Sequence, residues 1–188
     1  MPRPARHDYI AFLRGINLGA RRPPMAGLRA IFTRMKFTEV ATFIASGNVI
    51  FSDGADDRSA LEARIEQGLA RSLGYPVDTF VRTRAEVAAI AAAQPFSPAE
   101  SAGARAVHVV MLKEPLSRRQ VGQLAACATA TDAFAPAGRE FHWLCRIKTN
   151  ESKVWSSPAM KALRLPTCSM RNVTTLRNLA ALYPPRTG

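Results

Sequence analysis

One order of hydrophobic patterns runs through this chain twice, and it limits the possible folds more than any single motif. Short apolar or alternating stretches and helix-period stripes follow one another as β-α-β-β-α-β, first over residues 8–93 and again beyond residue 105. In the first pass, Tyr9-Ile10-Ala11-Phe12-Leu13 is a continuous apolar run suited to a central strand. Pro23-Pro24 then precede Met25, Leu28, Ile31, Phe32 and Met35, one face of an amphipathic helix with proline at its first turn. Val40 to Ala45 and Asn48 to Phe51 read as two strands, with Ser46-Gly47 as a two-residue hairpin turn between them. Leu61, Ile65 and Leu69 line a second helix, capped by Asp56 or Asp57. Val77 to Val81 is the next strand, and Thr83 with Glu86 forms a capping box opening an Ala-rich helix.

The second pass runs from Ala106 to Leu112 as a strand, then a helix capped by Ser117 and Gln120 with Val121, Leu124 and Ala128 on one face. Ala133 to Ala135 and Glu140 to Cys145 are strands, and Ser157-Pro158 starts a short helix. A strand near Thr167 to Met170 leads to Asn172 as an N-cap, and Leu176, Leu179 and Tyr183 mark the last helix. The expected fold is α+β, two tandem ferredoxin-like (β-α-β-β-α-β) units with antiparallel sheets. The first unit should span 1–94 and the second 105–188, with 95–104, holding Pro95 and Pro98, as linker.

This topology puts the end of the first strand and the hairpin between the second and third strands at one edge of the sheet. Arg14, Gly15 and Asn17 would there meet Ser46, Gly47 and Asn48, beside the start of the first helix and near Arg21 and Arg22. Glycines, amide side chains, orphan helix N–H groups and guanidinium groups suit a phosphate or carboxylate. The bland alternative is that the glycines make turns while Asn17 and Asn48 bond local backbone.

Phe12-Leu13-Arg14-Gly15-Ile16-Asn17-Leu18-Gly19, Pro24-Met25 with Leu28, and Ser46-Gly47-Asn48-Val49-Ile50-Phe51 together resemble the bacterial DUF1697 family. Arg82-Thr83 with Glu86, Gly138-Arg139-Glu140, Ser152-Lys153 and Arg171-Asn172 with Thr175 continue the resemblance. It implies a cytoplasmic α+β protein of two ferredoxin-like units and carries no established activity. Two departures stand out: Ala20-Arg21-Arg22-Pro23 is a residue shorter and more basic than the usual stretch, and Ser169 replaces a more usual threonine.

Charge bears on partners. The net charge is +12, but residues 1–94 hold 13 basic and 9 acidic groups while residues 95–188 hold 13 and 5. The imbalance in the second half points to an anionic partner. A second candidate surface for nucleic acid is therefore Arg139, Phe141, Trp143, Lys153, Arg171 and Asn172, with Phe141 and Trp143 on one strand face for stacking on bases.

Other chemistries find little footing. The three histidines are His7, in the N-terminal stretch, and His108 and His142, within strands; His142 and Cys145 fall on opposite faces. Three cysteines without CxxC spacing predict reduced thiols and no zinc site. No phosphate-loop or dinucleotide glycine motif is present, so no cofactor and no metal are expected. The N-terminus predicts no secretory signal and no apolar run predicts a membrane span. The expected function is binding of an anionic ligand, nucleic acid or a small phosphorylated molecule, by a monomer in the cytoplasm. The alternatives are an enzyme acting on a phosphorylated or acyl substrate at the same loops, and a protein-interaction module.

Overall fold

The computed structural model describes residues 6–16, 23–44 and 47–186. Its chain divides into two compact units, 1–90 with 178–188, and 91–177. The first contains β1 (His7–Leu13), α1 (Met25–Arg34), β2 (Thr38–Phe43), β3 (Asn48–Asp53), α2 (Arg58–Leu73) and β4 (Thr79–Thr83), followed by α3 (Arg84–Ala92). Its sheet runs β2-β3-β1-β4 with every pairing antiparallel. The second contains α4 (Pro98–Ser101), β5 (Ala106–Leu112), α5 (Arg118–Ala125), β6 (Asp132–Ala137), β7 (Glu140–Cys145), α6 (Pro158–Ala162), β8 (Cys168–Asn172) and the first half of α7 (Val173–Leu182). Its sheet runs β6-β7-β5-β8, also antiparallel. Both units thus have the strand order of a ferredoxin-like sandwich, and the α+β expectation holds.

Local chemistry explains the elements. In α1, Leu28, Ile31 and Phe32 are buried at helix spacing. Asp57 caps α2 by accepting from Ala60 N–H at 3.1 Å, and Leu61, Ile65 and Leu69 fill the core below it. They meet Tyr9, Ala11, Leu13, Val49, Phe51 and Val81 from one face of the sheet, with Phe37 and Phe51 in ring contact at 4.5 Å. The expected box at α3 forms: Thr83 N–H donates to Glu86 Oε2 at 2.8 Å and Glu86 N–H to Thr83 Oγ1 at 3.1 Å. Such a cap is worth about 1 kcal/mol. Strand β4 is an edge, and its outward N–H groups are covered by helix carboxylates: Thr79 donates to Glu66 Oε1 at 2.9 Å and Val81 to Glu62 Oε1 at 2.8 Å. Edge backbone that is bonded in this way offers no template for another chain.

Three details differ from the sequence-based expectation. Phe43 pairs with Asn48, so the hairpin connection is 44–47 rather than two residues. The segment expected to be a plain linker holds α4, with Ser97 and Glu100 in a complete capping box and proline in the first turn. Residues 178–186 group with the first unit, where Arg186 Nε lies 2.9 Å from Asp8 Oδ2 and also pairs with Glu39.

Candidate functional site

Pairing of β1 with both β3 and β4 brings three segments to one edge of the first sheet. Leu13 N–H donates to Gly47 O at 2.8 Å, and Arg14 N–H donates to Asp78 O at 2.8 Å. Gly15 takes a positive φ of 69°, which turns the chain so that Ile16 drops into the core at 2% exposure. Gly47 has φ 73°, and a Cβ there would lie 2.5 Å from Ile16 Cγ2. Glycine at 47 is therefore demanded by backbone conformation and by the packing of Ile16 together. Asn48 is fully buried, its Nδ2 donating to Phe43 O at 3.2 Å.

Of the proposed anion-site residues, Arg14, Gly15, Gly47 and Asn48 do converge. Asn17, Arg21, Arg22 and Ser46 lie outside the described residues. Arg14 carries a partner that sequence reasoning passed over: its Nη1 donates to Asp78 Oδ2 at 3.1 Å, with both side chains about half exposed. An exposed pair of this kind is worth no more than about 1 kcal/mol. Its signal was Asp78's place just before β4, the strand that runs beside β1.

A second missed residue is Arg29, one turn into α1. It is exposed and donates to Thr42 Oγ1 at 3.0 Å, near the hairpin end of β2. No carboxylate lies within ion-pair distance of it among the described residues. Among the described residues the start of α1 has no side-chain cap either. Pro24 stands at the N-cap without a side-chain bond, and no acidic residue occupies the first turn. The first N–H groups of a helix have no intrahelical acceptor and carry a partial positive charge of roughly half a unit.

The candidate nucleic-acid surface needs correcting. Phe141 and Trp143 do share a face of β7, but both are fully buried. That face looks into the core of the second unit, where Trp155 stacks on Phe141 at 6.3 Å and meets Trp143 edge-on at 5.3 Å. Strand alternation specifies a shared face, and here hydrophobic packing takes it. Asn172 caps α7 through Thr174 N–H at 2.8 Å. Arg171 Nη1 donates to Ser169 Oγ and Met170 O at 2.9 Å each; burial pulls its guanidinium down to about 10, still charged at neutral pH. Arg139 is half-buried and Lys153 exposed, and the nearby Trp155 is partly buried against Phe134, Phe141 and Trp143.

The remaining groups look structural. His108 stacks on Trp143 at 5.0 Å, its Nε2 3.0 Å from Thr149 Oγ1, and burial lowers its pKa. Cys127, Cys145 and Cys168 are free, and burial raises the first two thiols away from the reactive thiolate. Asp132, another residue missed from sequence, accepts from Thr131 Oγ1 at 2.7 Å and from Thr129 Oγ1, Ser152 Oγ and Trp143 Nε1 at 2.8 Å each. Among the described residues no cluster of three His, Cys, Asp or Glu is placed to hold a metal, and no helix is long and apolar enough to cross a membrane.

The model of the DUF1697 family, described as a protein of unknown function, matches residues 7–142, which include the whole β1 edge. The chain belongs to the DUF1697 family. A conserved bacterial protein, SP0830 from Streptococcus pneumoniae, has a similar structure with a TM-score of 0.71 and 20% identity. The likeness covers 95% of this chain and 98% of that one, and at such identity it speaks for the fold alone. No curated protein matches. Within the family match fall Arg14, Gly15, Arg29, Gly47 and Asn48, while Lys153, Arg171 and Asn172 lie beyond it.

Proposed function

We propose that the first unit of this DUF1697 protein binds a small phosphorylated molecule at the β1 edge. The observation that carries this reading is the N-terminus of α1, which among the described residues has no capping side chain, no acid in its first turn and no carboxylate on Arg29. Helix amides point at the anion, Arg29 supplies a full charge, and Arg14 adds a second when the ligand displaces Asp78. A small ligand is favoured over nucleic acid because Phe141 and Trp143 have no exposed faces for bases. The reading is of a cytoplasmic protein, for which the three free cysteines are the support.

Inorganic phosphate and pyrophosphate at millimolar concentration, at fixed ionic strength, are expected to raise the melting temperature, since a ligand of the folded state stabilises it by RT ln(1 + [L]/Kd). Arg29→Ala is expected to remove most of that shift. An unchanged melting temperature in the parent protein, or an undiminished shift in Arg29→Ala, rejects the site. Tight binding of a short single-stranded oligonucleotide with a steep loss on adding salt would instead favour the nucleic-acid reading.

A further inference from the structure

The second unit holds a half-open cavity of about 280 Å³ that none of the preceding roles uses. Its lining comes from four places: Gln94 and Phe96 ahead of α4, Val107 on β5, His142 on β7, and Val173 with Arg177 on α7. Val107 and His142 stand on the sheet face opposite Phe141 and Trp143, as the pairing of Val109 with His142 requires. Val173 and Arg177 are four residues apart on one helix and so share a face. Phe96 and Val173 are buried and form an apolar wall with Val107, while Arg177 is exposed.

The charge in this cavity has one sign. No acidic residue lines it. Arg177 donates from Nε to Ala91 O at 3.4 Å, and among the described residues no carboxylate lies within ion-pair distance of it. A guanidinium tethered at one end presents a planar fork to an incoming carboxylate, a geometry that favours bidentate pairing. The volume lies just below that of ordinary ligand pockets, about 300–1,000 Å³, which limits the occupant to a small molecule.

From this arrangement we infer that the cavity binds a small organic monocarboxylate, its apolar body against Phe96, Val107 and Val173 and its carboxylate on Arg177. The site is separate from the β1 edge and stands or falls without it.

Benzoate is a suitable probe, with benzylamine as its charge-inverted counterpart. In the full chain with labelled valine methyls, benzoate is expected to shift the Val107 and Val173 signals saturably, while benzylamine leaves them in place. Arg177→Gln, an exposed position whose loss leaves the core intact, should weaken benzoate binding roughly tenfold, as for loss of a charged hydrogen-bonding partner. Ala93→Leu, which adds bulk at the cavity lining, should abolish it while the remaining methyl spectrum stays that of the folded protein. Arg29→Ala should leave the titration unchanged, separating this site from the phosphate site. The inference is overturned by the absence of a saturable shift, by equal affinity in Arg177→Gln, or by shifts confined to α1.

Discussion

The two units share a pairing frame down to single residues, yet they finish the same edge differently. Leu13 N–H reaches Gly47 O at 2.8 Å, and Leu112 N–H reaches Arg139 O at the same distance. Phe12 stands opposite Asn48 as Met111 stands opposite Glu140, and Arg82 opposite Ile10 as Arg171 stands opposite Val109. Thr83 and Asn172 then cap α3 and α7. Against this common frame, the first unit connects its hairpin through 44–47 and begins α1 on an uncapped proline. The second turns through Gly138-Arg139 alone and begins α5 with a complete Ser117–Gln120 box. It also sets acidic Glu140 where the first unit has Asn48. Identical topology thus gives α5 a side-chain cap, while among the described residues α1 has none. The helix-end contrast is the support for proposing the phosphate site in the first unit, although the second carries the larger net charge.

The sharpest break in the comparison is predicted at the two hairpin glycines. Gly47→Ala puts a Cβ at φ 73°, 2.5 Å from Ile16 Cγ2 and 3.2 Å from Leu13 Cβ, whereas Gly138 has φ 63° and open space around it. Left-handed backbone alone costs an alanine about 1 kcal/mol, and overpacking adds about 1–3. Gly47→Ala should lose about 3 kcal/mol in urea unfolding and Gly138→Ala about 1. Equal losses would mean that Ile16 moves aside freely and does not anchor the loop.

A second contrast lies in where each unit buries an acid. The first spends Glu62 and Glu66 on the N–H groups of β4; in the second, α6 is only five residues long and carries no acid, and Asp132 instead gathers Thr129, Thr131, Ser152 and Trp143. For Asp132, burial pushes the pKa up, but the four hydrogen bonds together outweigh it and the net direction is down. A depressed carboxylate contributes stability above its unfolded value, about 3.9, and loses that contribution as pH falls through the lower folded value. Asp132→Asn is therefore expected to cost about 2 kcal/mol at neutral pH. Unfolding followed from pH 7 to 3 should show the gap to the parent protein narrowing at the acid end. A constant gap would mean that the carboxylate's charge is not what holds this network.

These contrasts also mark what the sequence makes legible. The boxes at Thr83–Glu86 and Ser117–Gln120, the Asp57 cap and the Asn172 cap are local, set by residues three or fewer apart, and all form. What the sequence leaves illegible depends on long-range pairing. Arg14 meets Asp78 sixty-four residues away, and only the β1–β4 register reveals that partner. Phe141 and Trp143 alternate correctly, but alternation does not say which face of a central strand meets the core; Trp155 and Asp132 decide it. Helix α4 is legible in Ser97, Pro98 and Glu100, since proline suits a first helical turn as well as a linker.

The smallest predicted change in stability turns the first unit toward the second. Pro24→Asp gives α1 the N-cap acceptor and the negative charge it lacks. A new cap and a favourable helix-dipole contact should together stabilise by about 0.5–1.5 kcal/mol, less whatever is lost with the rigid proline. The same carboxylate occupies the amides assigned to phosphate, so the phosphate-induced rise in melting temperature should vanish while basal stability increases. Ser117→Ala, which removes the corresponding cap from α5, should lower stability by about 1 kcal/mol and create no phosphate response, since Glu114 lies three residues before it. If Pro24→Asp gains stability yet keeps the phosphate shift, the open helix end is an unpaid structural debt and the anion is held elsewhere.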